Sequence, residues 1–181
     1  ILDGNRRYAK TLCLKSKDGH KKGVDNLEKL IFEWAPDLKI KELTLYTFSV
    51  QNFKRGKEEV AYLLHLFKKV LTKFFKNNLS LIKEKGLRIN FIGRLNMFPK
   101  KLQELMQNLK ESTKNNTKTV VNFAMAYGGR EEIVDGIKRL VKDLKSKNQK
   151  SGQINNIDNL NQEEFSKYLY LNSEPDLIIR T

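Results

Sequence analysis

A single carboxylate near the start of the chain stands among cations. Asp3 is followed by Gly4 and Asn5, and then by Arg6 and Arg7. A carboxylate beside a phosphate site is unfavourable unless a hard cation bridges the two, and Mg²⁺ commonly binds carboxylates together with phosphate oxygens. Asp3 is therefore a candidate Mg²⁺ ligand. Taken alone, Asp3-Gly4-Asn5 also fits an ordinary turn, which is the commoner role of such residues.

Arginine is grouped along the chain in a way that lysine is not. The chain has 35 basic residues, of which only eight are arginine. Six of the eight follow predicted strands: Arg6, Arg7, Arg55, Arg94, Arg130 and Arg180. Ligands of open parallel sheets bind beyond the carboxyl ends of the strands. A guanidinium group can bind a phosphate or a carboxylate through two parallel hydrogen bonds. The grouping predicts a site for a phosphate-bearing polyanion. Arg94 also fits a plain surface charge, and Arg130 also fits a residue paired to a nearby carboxylate in a strand-to-helix turn.

Two further features allow more than one interpretation. His20, between Gly19 and Gly23, fits a phosphate donor or an acid–base group at a helix entrance, and it equally fits an exposed polar residue. Residues 57–75 carry an apolar stripe with helical spacing, which fits the core best and also fits the wall of an apolar cleft. The neighbouring residues do not decide between these alternatives.

Short β-branched and aromatic runs alternate with longer runs of helical spacing. The predicted strands are Ile1-Leu2, as the stub of a first strand, and residues 43–48, 87–92, 119–126 and 177–179. The predicted helices are residues 21–35, 57–75, 100–109, 131–144 and 163–169. This alternation predicts an α/β fold with a central, mostly parallel β-sheet of about six strands and helices on both faces. The polar segment 146–161 is predicted to be a mobile connection.

Composition narrows the class of protein. A chain of 181 residues with 39% hydrophobic residues fits a single domain over residues 1–181 and excludes wholesale disorder. Its one cysteine, Cys13, excludes an internal disulfide and a thiolate zinc site, and it fits a reducing compartment. No apolar stretch is long enough to span a bilayer. The net charge of +14 favours an anionic partner: a nucleic acid, an anionic membrane or a small phosphorylated ligand.

Six segments, taken in order, resemble the cis-prenyltransferases, the family of the undecaprenyl and dehydrodolichyl diphosphate synthases. They are residues 3–9, 19–23, 44–55, 59–60, 127–133 and 175–181. They span essentially the whole chain and follow the order of the family's own motifs. The form Arg6-Arg7-Tyr8 is similar to the eukaryotic and archaeal branch of the family.

The resemblance implies a chemistry and the residues that perform it. The implied reaction condenses isopentenyl diphosphate with an allylic diphosphate such as farnesyl diphosphate, releases pyrophosphate and leaves a cis double bond in each added unit. Mg²⁺ is the implied cofactor, an apolar cleft holds the prenyl chain, and the protein is a homodimer. Asp3 is implied as metal ligand and catalytic residue. Asn52 is the second catalytic residue, at the position of proton removal, where a carboxamide orients or relays a proton rather than keeping it.

The resemblance also implies which residues bind the two substrates. Arg180 is implied to bind isopentenyl diphosphate. The full implied set is Gly4, Asn5, Arg6, Arg7, Tyr8, Ser16, His20, Ser49, Val50, Gln51, Phe53, Arg55 and Arg180.

Three departures from the family pattern bear on this expectation. Ser16 stands where the family often has arginine, and Gln51 stands where it usually has glutamate. The family also continues beyond Arg180-Thr181 into a segment that carries a second arginine, a serine and a glutamate, and this glutamate completes the Mg²⁺ site across the dimer. We therefore expect the start of the first strand and a C-terminal closing segment to be missing from residues 1–181, and this form to turn over slowly.

Two other functions stand as alternatives. A non-catalytic subunit of the same fold would support a catalytic partner, which the intact residues 3–7 disfavour. A basic nucleic-acid-binding domain has the required charge, but the sequence lacks a recognisable reader motif, so we expect no nucleic-acid partner. The expected location is cytoplasmic, with peripheral membrane association left open.

Overall fold

Three strands form the sheet within residues 1–147 and 157–181, which are the residues that the computed structural model describes. They are β1 (Glu42–Ser49), β2 (Leu87–Ile92) and β3 (Thr119–Tyr127), in the order β1-β3-β2. β2 runs parallel to β3, with Leu87 opposite Thr119. β3 is buried along nearly its whole length, as expected of a central strand that other elements cover.

Helices precede, separate and follow these strands. The α-helices are α1 (Asn5–Thr11), α2 (Ser16–Lys29), α3 (Ala35–Asp37), α4 (Lys57–Lys76), α5 (Leu79–Glu84), α6 (Lys100–Thr113), α7 (Gly129–Lys147) and α8 (Gln162–Ser166). A π-helical turn (Leu30–Trp34) joins α2 to α3, and 3₁₀ turns cover Val50–Lys54, Leu95–Met97 and Ile157–Asn159. The predicted α/β class, a parallel sheet with helices between its strands, is confirmed.

The described residues divide into two units, residues 1–126 with 178–181, and residues 127–177. In the first unit, Phe48, Phe74 and Leu109 are each at most 1% exposed. They come from β1, α4 and α6, so one apolar core joins the sheet to the helices that flank it.

A buried polar contact crosses all three strands of the first unit. Asn122 of β3 is fully buried, and its Nδ2 donates to Oε1 of Glu42 in β1 at 2.7 Å. Its Oδ1 accepts a hydrogen bond from Nδ2 of Asn90 in β2 at 3.0 Å. Because a shift of one residue would turn every side chain to the opposite face, this contact favours a single strand register.

The second unit is built on α7. Oη of Tyr168 donates to Oδ2 of Asp143 at 2.6 Å, and the N–H of Tyr170 donates to Oε1 of Glu132 at 2.7 Å. The hydrogen bond to Asp143 raises the pKa of Tyr168 to about 12. These bonds tie the later part of the unit to α7. Most of the predicted mobile connection, residues 148–156, lies outside the described residues.

The prediction of about six strands is wrong for the described residues, in which only three strands form. Neither Ile1-Leu2 nor residues 177–179 form strands, and Ile178 and Ile179 are 69% and 64% exposed. The Ile1 amino group donates to the carbonyl of Ile179, and the N–H of Thr181 donates to that of Ile1 at 3.3 Å. An apolar, β-branched run meets the local requirement for a strand, but a strand also needs a paired neighbour and burial.

Candidate active site

The turn at Gly4 positions Asp3 at the start of α1. Gly4 has a φ of +82°, in the left-handed region that glycine adopts without strain. Its N–H donates to Oδ1 of Asp3 at 2.7 Å, and its carbonyl accepts from the N–H of Tyr8 at 2.8 Å. The same residue therefore orients the Asp3 carboxylate and makes the first hydrogen bond of the helix.

Two glycines of α2 let that helix approach α1 closely. A Cβ at Gly19 would lie 2.1 Å from the carbonyl oxygen of Asn5, and a Cβ at Gly23 would lie 2.7 Å from Oδ1 of the same residue. Gly19 and Gly23 are four residues apart and so share one face of the helix. This contact places His20, which lies between them, beside the residues of α1.

Cations surround the Asp3 carboxylate. Its Oδ2 accepts hydrogen bonds from Nη2 and Nε of Arg180 at 2.7 and 3.2 Å, and Nη2 of Arg7 lies 3.4 Å away. The hydrogen bond from Arg180 is the largest cause that lowers the pKa of Asp3 to about 2. Asp3 is therefore an anion at neutral pH and offers hard oxygen ligands.

A second carboxylate, Glu59, gathers the other basic side chains. Its Oε1 lies 3.0 Å from Nη1 of Arg55 and 3.5 Å from Nε2 of His20, and its Oε2 lies 3.7 Å from Nη1 of Arg6. Burial lowers the pKa of His20, against the opposite influence of Glu59. Nε2 of His20 is buried and has no hydrogen-bond partner among the described residues.

The turn after β1 positions Asn52 and Arg55. The N–H of Ser49 donates to Oδ1 of Asn52 at 2.9 Å, and the N–H of Asn52 donates to Oγ of Ser49 at 3.2 Å. This reciprocal pair caps the 3₁₀ turn Val50–Lys54. Phe53, in the same turn, packs against Phe48 with ring centroids 4.9 Å apart.

A cavity of about 840 Å³ brings these elements together in the first unit. Its polar lining includes Asp3, Asn5, Arg6, Arg7, His20, Asn52 and Arg55. Its apolar lining includes Leu27, Leu63, Phe67, Val70, Leu71, Phe91, Phe123 and Met125. The stripe on α4 thus serves both roles considered from the sequence, since Phe74 is in the core while Leu63 and Phe67 line the cavity.

The sequence model of a family described as "Putative undecaprenyl diphosphate synthase" matches residues 1–181. The chain belongs to this prenyltransferase family. The predicted cis-prenyltransferase resemblance is confirmed, and so is the prediction of a prenyl-transferring enzyme.

Named relatives and a solved structure agree with the family. The chain is 39% identical to a tritrans,polycis-undecaprenyl-diphosphate synthase (geranylgeranyl-diphosphate specific) of Thermoplasma volcanium, over 100% of this chain and 67% of the relative. It is 40% identical to an isoprenyl transferase of Fusobacterium nucleatum, over 100% of this chain and 72% of that relative. The crystal structure of lavandulyl diphosphate synthase from Lavandula x intermedia, in complex with dimethylallyl diphosphate, is 28% identical. It matches with a TM-score of 0.80 over 93% of this chain and 67% of that chain.

The structure brings together most, but not all, of the residues predicted for this prenyltransferase site. Those that line the cavity are Asp3, Gly4, Asn5, Arg6, Arg7, Tyr8, His20, Asn52 and Arg55. Arg180 reaches the site through its hydrogen bonds to Asp3. The remaining predicted residues, Ser16, Ser49, Val50, Gln51 and Phe53, are not among the described residues that line the cavity.

Sequence reasoning missed Glu59 as a site residue. Glu59 stands only four residues after Arg55, and this short separation of opposite charges was a usable local signal. The approach of Arg6 and His20 to Glu59 depends on the packing of α1 and α2 and has no local signal.

The donor set of the site fits Mg²⁺ in one particular way. No group of three histidine, cysteine, aspartate or glutamate side chains that could hold a metal occurs in residues 1–147 and 157–181. Asp3 lines the cavity as an anion, and Mg²⁺ binds readily through a single carboxylate plus phosphate oxygens and water. The residues present thus fit a metal that arrives with a phosphorylated ligand.

None of the helices within the described ranges combines the length and the apolar character that a membrane span requires.

Proposed function

We propose that the protein condenses isopentenyl diphosphate with an allylic diphosphate, releases pyrophosphate and forms a (Z)-polyprenyl diphosphate. One observation carries this proposal: a single cavity is lined by three arginines, a histidine and a carboxylate, and also by large apolar side chains. A prenyl diphosphate has the same two chemical parts. We propose residues 1–181 as the catalytic domain for this reaction.

The cationic residues bind the diphosphate of the allylic substrate. Arg6, Arg7 and Arg55 supply guanidinium donors, whose bidentate geometry matches phosphate oxygens. His20 supplies a buried nitrogen that has no hydrogen-bond partner among the described residues. A phosphate oxygen would satisfy it, which supports a place for His20 in the diphosphate site.

Asp3 holds Mg²⁺ in this proposal. When bound, the metal supplies positive charge that stabilises the departing pyrophosphate. Asp3 is suited to this role because its lowered pKa keeps it ionised, and because Gly4 and Arg180 fix the orientation of its two oxygens. Arg180, next to Asp3, binds the diphosphate of isopentenyl diphosphate.

Asn52 orients the isopentenyl group for loss of its proton. Its Oδ1 accepts the Ser49 N–H, which holds the carboxamide plane in place. A carboxamide is a poor base, so Asn52 directs or relays the proton and a phosphate oxygen is the better acceptor. The apolar wall formed by Leu63, Phe67 and Phe123 holds the prenyl chain away from water.

Two features of the assembly complete the proposal. We propose a homodimer, which the exposed apolar stripe of α7 supports: Ile133, Ile137 and Val141 are 50%, 47% and 40% exposed. We also propose peripheral contact with anionic membranes, which the net charge of +14 supports.

A product assay tests the proposed reaction. The protein is incubated with labelled isopentenyl diphosphate, Mg²⁺ and either farnesyl or geranylgeranyl diphosphate, the latter because a relative is named as specific for it. We expect a labelled, solvent-extractable prenyl product that disappears when the metal is chelated. No product with either primer, while pyrophosphate still binds, would favour a non-catalytic subunit of the same fold.

A further inference from the structure

Glu59 brings together basic residues from three separate segments. Arg6 lies on α1, His20 on α2 and Arg55 directly after the 3₁₀ turn that follows β1. All three have a nitrogen within 3.7 Å of a Glu59 carboxylate oxygen. The closest contact, from Nη1 of Arg55, is a hydrogen bond of 3.0 Å.

Glu59 contacts residues of the cavity wall but does not line the cavity. Arg6, His20 and Arg55 line the cavity, whereas Glu59 is not among the described residues that do so. The Glu59 side chain is 25% exposed. Its carboxylate therefore contacts three groups of the cavity wall without lining the cavity itself.

Asp3 and Glu59 hold different sets of cations. Asp3 contacts Arg7 and Arg180, whereas Glu59 contacts Arg6, Arg55 and His20. Without its carboxylate, the basic side chains of each set would repel one another, because each of them carries or can carry a positive charge. The Glu59 set includes His20, whose largely buried side chain maintains a charge less easily.

The charge state of His20 depends on the same cluster. Burial disfavours protonated His20 and lowers its pKa, and the nearby Arg55 and Arg6 act in the same direction. Glu59 alone among the groups that influence it raises that pKa, through its carboxylate, which lies 3.5 Å from Nε2 of His20. Glu59 thus favours the protonated form of His20, in which both ring nitrogens are hydrogen-bond donors.

We propose that Glu59 is a positioning residue for diphosphate binding, which holds Arg6, Arg55 and His20 in the arrangement that a diphosphate requires. This inference rests on the proposed function, since it concerns the same anion site. Glu59 does not touch the ligand. It limits the conformational freedom of Arg6, Arg55 and His20, so that binding of the ligand costs less conformational entropy.

The proposal predicts a change in anion affinity opposite to the change expected from charge alone. Glu59→Gln removes a negative charge near an anion site, and on charge alone it would strengthen the binding of an anion. Loss of positioning weakens binding instead. Glu58→Gln is the matched control, because it removes the same charge from the neighbouring, exposed residue of α4.

Calorimetric titration with inorganic pyrophosphate, in metal-free buffer at fixed ionic strength, measures this effect. We expect Glu59→Gln to bind at least about tenfold more weakly than wild type, and Glu58→Gln to stay within about twofold. Glu59→Asp keeps the charge with a shorter side chain and is expected to fall between the two. Unchanged or tighter binding by Glu59→Gln would overturn the proposal.

A second measurement separates positioning from a general loss of structure. The chain has only two histidines, His20 and His65, so their ring signals can be followed by NMR as pH changes. We expect the pKa of His20 to fall in Glu59→Gln, with the signals of His65 serving as the internal reference. An unchanged pKa of His20 would overturn the proposal even if binding were weaker. If Glu59→Gln does not fold, Glu59→Asp decides, through the same titration against wild type.

The outcome for wild type keeps this inference distinct from the proposed function. If wild-type protein neither binds pyrophosphate nor forms product, the proposed function fails. If wild type binds pyrophosphate and Glu59→Gln binds it equally well, the proposed function stands and only the role of Glu59 is lost.

Discussion

Asp3 and Glu59 are both carboxylates held among arginines, yet they face different surroundings. Asp3 lines the cavity, and its cations Arg7 and Arg180 are largely exposed. Glu59 lies outside the cavity lining, and its partners include His20, whose side chain is only 10% exposed. In the proposed diphosphate site, one carboxylate is therefore open to a ligand, whereas the other contacts the protein's own cations.

The largest expected effect comes from removing the carboxylate that faces the cavity. Asp3→Ala should lower kcat by about 100-fold or more, because the interaction it supports strengthens as charge develops on the leaving pyrophosphate. Affinity for the allylic diphosphate should change much less, since Arg7 loses its ion pair with Asp3 and is released to bind it. Steady-state kinetics of Asp3→Ala, with the exposed Asp25→Ala as control, measures both. Equal turnover would remove Asp3 from the catalytic role.

A smaller effect, on binding rather than turnover, is expected from the cations around Asp3. Arg7→Ala should weaken binding of the allylic diphosphate by about 1.5 to 3 kcal/mol, the range for one lost charge-assisted hydrogen bond. Arg88→Ala removes the same charge from an exposed position on β2 and should have little effect. Binding of a non-reactive prenyl diphosphate analogue gives the comparison. Equal losses in the two variants would indicate a general effect of net charge instead of a local contact.

The sequence predicted the exposed surroundings of Asp3 better than the more buried cluster around Glu59. Asp3 and Arg7 are only four residues apart in the chain, so their types and spacing favour an anion site, although an ordinary turn stayed an alternative. The cluster around Glu59 joins α1, α2 and α4, and α1 was not among the predicted helices. Its formation depends on the close packing of helices, for which residues 5–11 show no apolar period.

The fold shows the same division between local and long-range information. Predicted strand 87–92 coincides with β2, and predicted helix 57–75 differs from α4 by one residue, because each has a strong period of its own. Residues 177–179 have an equally strong local pattern, yet they form no strand of the sheet that the structure describes, although the Ile179 carbonyl accepts a hydrogen bond from Ile1. The π-helical turn Leu30–Trp34, inside predicted helix 21–35, likewise has no local signal.

The contact between α1 and α2 offers a way to disturb the Glu59 cluster without touching a charge. Gly19→Ala would place a Cβ 2.1 Å from the Asn5 carbonyl and force the helices apart. We expect a loss of about 1 to 3 kcal/mol in unfolding free energy, together with weaker pyrophosphate binding because His20 moves. Gly129→Ala is the control, since its Cβ would meet nothing within 4 Å. Chemical denaturation and calorimetry measure the two effects, and unchanged stability in Gly19→Ala would contradict the tight helix contact.

The smallest effect is expected from the titration of Asp3 itself. Its pKa in the folded protein is about 2, below the ordinary value of 3.8, chiefly because of the hydrogen bond from Arg180. A carboxyl group whose pKa is lowered by folding contributes stability above its unfolded pKa, and that contribution is lost as pH falls toward the folded value. Wild type should therefore have a higher Tm than Asp3→Asn at pH 5, and the two values should converge between about pH 4 and 2. The difference should be modest, because the pair is exposed to solvent and screened by salt.

Thermal denaturation followed by circular dichroism at a series of pH values tests this expected convergence of the two Tm values. A Tm difference that persists unchanged to pH 2 would show that the Asp3 carboxylate does not gain its stability from Arg180, and the contrast with Glu59 would then rest on position alone.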